Sequence, residues 1–333
     1  MVIILVQMRR FLLFAGVALL AFLLWRLGPA EILGLLRRVG WYFLLAALLY
    51  TAHHAARALA LRLSVVRPHL LGYGDALAIR LSGEAIQSLT STGPLVSEPA
   101  KAWLLTRHGL TAQEGFAAAI AEYLINAFVA AALSIVALVY LMQRVAFPPL
   151  ADRIAIGIII AFSVFLVASV IAIVRRFYLI GTILAGLAKI GALRGRLRPD
   201  IAWINRMEDL LLAILRERPG RLLLIALIEV AAQMILVLEL FWLLRALETP
   251  ASPFFAFLLE SSVKAIGFAF SFIPLQVGVA EGTYALVFEL VGLPAAVGFA
   301  AAFLRRIRSL VAASAGLGAL TLLTRGAPSR RAI

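Results

Sequence analysis

Cysteine is absent from the 333 residues, which excludes disulfides, a thiolate nucleophile and a cysteine-based metal site. Charge is scarce: 14% of the residues are charged against 63% hydrophobic, a balance that would leave an aqueous fold with more apolar surface than it could cover. There is no GxxxxGKS/T phosphate loop, no GxGxxG after a strand, no HExxH and no GxSxG elbow, so no motif carries nucleotide-driven or hydrolytic chemistry. Long alternating strands are missing too, which argues against a β-barrel. No small-residue cleavage motif follows the first apolar stretch before Trp25 and Arg26, so that stretch reads as a retained span rather than a removed signal.

What is present is a series of apolar runs near the length of about 20 residues that a helix needs to cross hydrocarbon. Six spans are expected, at 11–25, 41–63, 115–142, 154–178, 222–244 and 295–323. Two further stretches, 74–108 and 252–291, are too interrupted to cross as one helix and too apolar to be ordinary loops. Each reads as a re-entrant helical hairpin that enters, turns at a Pro/Gly tip and leaves on the same side. The first carries "STGPLVSEPAKAWLL", with Gly93 and Pro94 at the turn and Glu98 and Lys101 on the returning arm, facing a cavity.

The net charge of +14 does not point to nucleic acid, because the basic residues lie between apolar segments rather than on a soluble domain. With both termini in the cytoplasm, twenty Lys and Arg fall on that side and seven on the other, as the positive-inside rule requires. Arg57, Arg305, Arg306 and Arg308 fall within spans. The segment 181–220 is amphipathic and is either a membrane-surface helix or, over its first half, a solvated linker.

A repeat lies under the broken stretches. At an offset of 180, Ser82, Ala85, Ile86, Ser91, Pro94, Leu95 and Ala100 meet identical residues at Ser262, Ala265, Ile266, Ser271, Pro274, Leu275 and Ala280. At an offset of 183, "GLTAQEGFAAA" from Gly109 agrees with "GLPAAVGFAAA" from Gly292 at eight of eleven positions. Three spans separate the units, an odd number, so repeat 1 (about 41–142) and repeat 2 (about 221–323) are expected to be inverted, the plan of secondary transporters. The same offset sets Glu84 opposite Lys264 and Lys101 opposite Glu281. These charges either pair across the repeats, Glu84 with Lys264 and Lys101 with Glu281, or snorkel separately to the interfaces.

Arg305, Arg306 and Arg308 stand near mid-depth of the last span and need acidic partners, water or an anionic ligand. Guanidinium suits phosphate because its planar fork holds two oxygens, although a purely structural salt-bridge role fits as well. Glu122 and Asn126, four apart, and Glu229, Gln233 and Glu239 are acids and amides available to them. His53 and His54 are adjacent rather than four apart, so with Arg57 they read as cavity lining and not as a metal pair. No cofactor is expected.

The stretches "GEAIQSLTSTGPLVSEPAKAWLLTRHG" and "FSFIPLQVGVAEGTYALVFELVGLPAAVGFAAAFLRRIRSL" resemble the two signature regions of the lysylphosphatidylglycerol synthase transmembrane-region family, the flippase-like domain proteins. Pro94, Glu98 and Lys101 match the first signature, Gly278, Glu281 and Gly282 the second, and Arg305 or Arg306 the arginine of the final span. Val96 and Ser97 stand where small glycines are common, and Lys101 replaces the usual Arg. The resemblance implies a single all-α integral membrane domain that moves a phospholipid or related polar lipid between leaflets of the cell inner membrane, without the soluble aminoacyl-transferase domain of the synthases. It implies membrane lipids with anionic or phosphate-bearing headgroups as partners, and no nucleic acid. Headgroups would meet Arg305, Arg306 and Arg308, while Glu98 and Glu281 are candidate proton sites. A lipid-modifying enzyme or its accessory subunit, and a transporter of a small soluble anion, are the alternatives.

Overall fold

The computed structural model describes residues 22–23, 25–90, 93–178, 180–182, 184, 186, 200–269 and 278–325. Among them there is no strand. The helices are α1 (Pro29–Val39), α2 (Tyr42–Ser64), α3 (Tyr73–Leu89), α4 (Pro94–Thr106), α5 (Ala112–Arg144), α6 (Pro149–Arg175), α7 (Ile201–Arg216), α8 (Pro219–Ala246), α9 (Pro253–Ala269), α10 (Val279–Leu290) and α11 (Ala295–Arg325).

Five of these, α2, α5, α6, α8 and α11, are long and apolar enough to cross a membrane. They coincide with the second to sixth expected spans; the first, at 11–25, lies almost wholly outside the described residues. The molecule is an all-α, multi-pass membrane protein. Its helices are the only open-ended answer to a solvent that cannot hydrogen-bond a backbone. For α6 that solvent is lipid: its most apolar window has a mean hydropathy of 2.9, yet only 6% of it is buried in protein.

Helix ends follow local chemistry. Thr111 caps α5, its hydroxyl accepting from the Glu114 N–H (3.2 Å) while Glu114 accepts from the Thr111 N–H (2.8 Å). Pro residues open α1, α4, α6, α8 and α9, where the missing N–H has no helical partner to lose. Gly93, with φ +50°, makes the turn into α4.

Each expected hairpin is a pair of short helices, α3 with α4 and α9 with α10. At 17 and 13 residues, α3 and α4 reach about 25 and 20 Å, short of the roughly 30 Å hydrocarbon thickness. The tips at 91–92 and 270–277, including Ser91, Ser271, Pro274 and Leu275, lie outside the described residues. Of the amphipathic segment, α7 is a helix: its side chains Ile204, Met207, Leu211 and Leu215 pack with Ala117, Ala121 and Ile225 of α5 and α8. Residues 187–199 lie outside the description. The sequence reading missed α1, where Ile32, Leu35 and Val39 recur at i, i+3 and i+7 and bury against the α8 and α11 core.

The offsets of the sequence recur in the helix starts. Helices α3 and α9 have 17 residues each and start 180 apart, and α5 and α11 start 183 apart. Helix α4 rests on α5 at Gly115, where a Cβ would come within 2.6 Å of the Ala102 carbonyl oxygen. Helix α10 rests on α11 in the same way at Gly298, where a Cβ would lie 2.6 Å from the Tyr284 oxygen and 2.8 Å from Phe288. Gly298→Val is therefore expected to force the helices apart and lower stability by about 1–3 kcal/mol. Gly318→Val, which has nothing within 4 Å of its Cβ, should change the unfolding midpoint in detergent little. Equal midpoints for the two variants would refute this close approach.

Candidate functional site

The intramembrane charges gather in two clusters. In the first, Arg57 of α2 sends Nη2 to Glu122 Oε1 of α5 (2.5 Å) and Nε to Glu229 Oε2 of α8 (3.2 Å). Lys101 of α4 places Nζ 2.7 Å from Glu98 Oε2 and 2.9 Å from Glu122 Oε2. Its stem crosses α3 at Gly83, where a Cβ would lie 2.8 Å from Lys101 Cδ. Lys101, Glu122 and Glu229 are fully enclosed.

In the second cluster, Arg305 of α11 donates from Nη2 to Glu239 Oε2 of α8 (3.1 Å) and from Nη1 to Glu260 Oε2 of α9 (2.5 Å). The Tyr284 hydroxyl of α10 accepts from the same Nη1 and donates to Glu260 (3.1 Å). Arg308 Nε lies 2.8 Å from Glu239 Oε1. Arg306 pairs with Glu281 of α10, whose Oε2 also accepts from the Gly278 N–H (3.0 Å). Lys264 pairs with Glu260 (3.3 Å) and donates to Gln233, which in turn donates to Asn126 (3.1 Å).

These partners correct the expected cross-repeat pairs. Lys101 meets Glu98 and Glu122, not Glu281, and Lys264 meets Glu260, not Glu84. Glu84 accepts from the Tyr50 hydroxyl (3.1 Å) and lies 3.6 Å from Arg80. Nor do the charges snorkel, because each has found an opposite charge inside the protein. Of the acids put forward for the last-span arginines, Glu239 serves them, whereas Glu122 and Glu229 serve Arg57. Asn126 bonds Gln233 rather than Glu122. His53 meets the Ala232 carbonyl (2.9 Å) where α2 packs on α8.

Sequence reading missed Arg80, Glu260, Tyr50 and Tyr284. A signal for two of them was present: Arg80 and Glu84, like Glu260 and Lys264, are acid–base pairs at i,i+4, and the offset of 180 relates the two pairs. With them included, five charged positions of one half meet the opposite sign in the other. Arg80 corresponds to Glu260 and Glu84 to Lys264, Lys101 to Glu281, at an offset of 183 Glu122 to Arg305, and at an offset of 182 Arg57 to Glu239. The contacts match helix for helix, with Glu281 taking Arg306 in place of Arg305. Arg57–Glu122 joins α2 to α5 as Glu239–Arg305 joins α8 to α11, and Lys101–Glu122 joins α4 to α5 as Glu281–Arg306 joins α10 to α11.

Glu122 and Arg305 are each the eleventh residue of their helix, about 16 Å from its start. A charged residue at such depth costs roughly 2.5–3.5 kcal/mol on insertion scales, which pairing reduces. A recess beside Lys264, lined also by Ser134, Gln233 and Glu260, measures about 10 Å³, room for a single water. In this conformation the recess is thus closed to any headgroup.

The family model for the lysylphosphatidylglycerol synthase TM region matches residues 10–316. The chain belongs to that family. This lysylphosphatidylglycerol synthase transmembrane-region protein is thereby a membrane protein of a lipid-handling family, as the two signature regions implied. No curated protein and no solved structure matches it. Within the match fall all the residues expected to form its site, Arg57, Glu84, Glu98, Lys101, Lys264, Glu281, Arg305, Arg306 and Arg308. Each lies in a buried or half-buried ion pair.

Proposed function

We propose that the protein translocates a phospholipid or related polar lipid between the leaflets of the inner membrane, without covalent chemistry. Its termini face the cytoplasm, and α3–α4 and α9–α10 act as re-entrant hairpins of an inverted repeat. The observation that carries this reading is the pair of sign-exchanged charge clusters at mid-depth in a chain of a lipid-handling family. A charged headgroup cannot cross hydrocarbon without a large desolvation penalty, and a wall of charged and hydrogen-bonding groups substitutes for its water. Because every cation in that wall holds a carboxylate, a headgroup enters by exchange: its phosphate replaces a carboxylate on a guanidinium, and any ammonium it bears replaces a cation on a carboxylate. The repeat supplies equivalent partners on both sides of the midplane, so one half rocking against the other opens the path to alternate leaflets.

The test is reconstitution with fluorescent phosphatidylglycerol and a membrane-impermeant quencher. Vesicles with the native protein should exchange the label faster than protein-free vesicles by at least about tenfold, a barrier change near 1.4 kcal/mol. The double variant Arg306→Gln, Glu281→Gln removes both members of one pair without stranding either, and should fall to the protein-free rate. An undiminished rate would take this pair off the path. No acceleration by the native protein, with zwitterionic as well as anionic lipid, would end the translocation reading.

A further inference from the structure

Beside the two clusters lies a third group of side chains, which shares Arg308 with the second. Tyr50 and His54 stand one turn apart on α2, their rings edge to face at 4.4 Å. The Tyr50 hydroxyl and the Arg80 guanidinium of α3 both address Glu84. From the other half of the molecule, the Arg308 guanidinium carbon of α11 lies 3.6 Å from the Tyr50 ring centroid. His54 is 1% exposed, and neither of its ring nitrogens has a hydrogen-bond partner. Arg80 Nε and Arg308 Nη1, on residues 2% and 7% exposed, also lack one.

Buried polar atoms are nearly always partnered, so several orphans on side chains joined through Tyr50 and Glu84 mark a site for a group that brings acceptors. The kind of group follows from the orphans themselves: Arg80 Nε and Arg308 Nη1 can only donate, and the carboxylates beside them, Glu84 and Glu239, leave these atoms without an acceptor. A cation brings no acceptor, and an apolar group leaves the N–H donors unsatisfied. A tetrahedral oxyanion meets every demand: guanidinium forks take two oxygens at a time, and an imidazole N–H takes a third.

We propose that the centre formed by Tyr50, His54, Arg80 and Arg308 binds a phosphate group, the phosphate of the lipid headgroup at the midpoint of its crossing. Glu84 occupies the donors of Tyr50 and Arg80 in the closed state and is the acceptor that the phosphate displaces. The centre draws α2 and α3 from one half and α11 from the other, so its occupant touches both moving parts. The assignment of the phosphate to a lipid rests on the translocation reading; the phosphate chemistry of the site does not.

The experiment measures thermal unfolding of the purified full chain in detergent against three probes: dihexanoylphosphatidylglycerol, dihexanoylglycerol and inorganic phosphate. The phosphatidylglycerol should raise the midpoint of the native protein and dihexanoylglycerol should not. Arg308→Gln and His54→Gln should each weaken the apparent affinity at least about tenfold, and Arg308→Lys should lose less. If Arg308→Gln does not yield folded protein, His54→Gln, which removes no charge, decides the matter. Stabilisation by inorganic phosphate with the same dependence on the variants supports the site and assigns it to free anions as well as lipids. Stabilisation by the phosphatidylglycerol alone supports the site and assigns it to lipid. No stabilisation by either probe, or the same stabilisation in native, Arg308→Gln and His54→Gln proteins, overturns the proposal. Variant-sensitive binding in a protein that fails to exchange labelled lipid would leave this site standing and remove the translocation reading. Lipid exchange with variant-independent binding would do the reverse.

Discussion

Replacing Lys101 by Met is expected to lower stability by about 3–5 kcal/mol, the range for breaking a buried ion pair from one side. Lys101 is fully enclosed, and its ammonium lies within 3 Å of Glu98 and Glu122. The substitution preserves most of the side-chain volume over Gly83, so loss of packing is a small part of the effect. What it strands is charge: Glu98 loses its ion-pair partner, and Glu122 keeps only Arg57. Adding Glu98→Gln should recover more than half of the loss, because the remaining acid is still paired. Combined with the effect of Glu98→Gln alone, the recovery gives the interaction energy of a double-mutant cycle read from unfolding midpoints in detergent. A surface pair gives the contrast. Arg38 and Glu248 are 2.9 Å apart, but their side chains are 55% and 72% exposed, so Arg38→Met should change stability by less than about 1 kcal/mol. A Lys101→Met loss no larger than the Arg38→Met loss would mean that water reaches the cluster.

Cross-linking α5 to α9 is expected to stop lipid exchange. The Ser134 hydroxyl donates to the Ser261 carbonyl oxygen (3.0 Å), joining an element of the first half to one of the second. On the opposite flank the Ser82 hydroxyl of α3 reaches the Gly316 carbonyl oxygen of α11 (3.4 Å). If the halves rock against each other, both contacts must slide. The native chain contains no cysteine, so Ser134→Cys, Ser261→Cys gives a single oxidisable pair. The oxidised protein should exchange labelled lipid more slowly than the reduced protein by at least about tenfold, and reductant should restore the rate. Equal rates in the cross-linked and reduced states would exclude relative movement at this contact.

Particular elements show how far the sequence could be read. Helix α11 begins at Ala295, where the sixth span was expected to begin, and the breaks after α3 and α9 fall inside the two interrupted stretches. Both are local matters, since in lipid each segment must satisfy its own backbone. Helix α1 escaped because its apolar stripe is only three residues deep. Glu260 and Arg80 escaped for a different reason: only their i,i+4 partners were local, whereas the Arg305 that Glu260 reaches lies 45 positions away. The recess beside Lys264 is small because Lys264 and Arg305, expected to face water, take carboxylates there instead.

The charge partners were the hardest step. Lys101 and Glu281 are each packed against the long helix that follows them in the chain, so each takes its counter-charge there. The sequence alone determined that this chain is helical and membrane-spanning, because those properties follow from apolar length, and its internal offsets set residues of opposite charge at matching positions. Which charge neutralises which, and that Tyr50 meets both Glu84 and Arg308, was decided only by helix rotation and packing, which bring into contact residues as much as 258 positions apart that no local pattern connects.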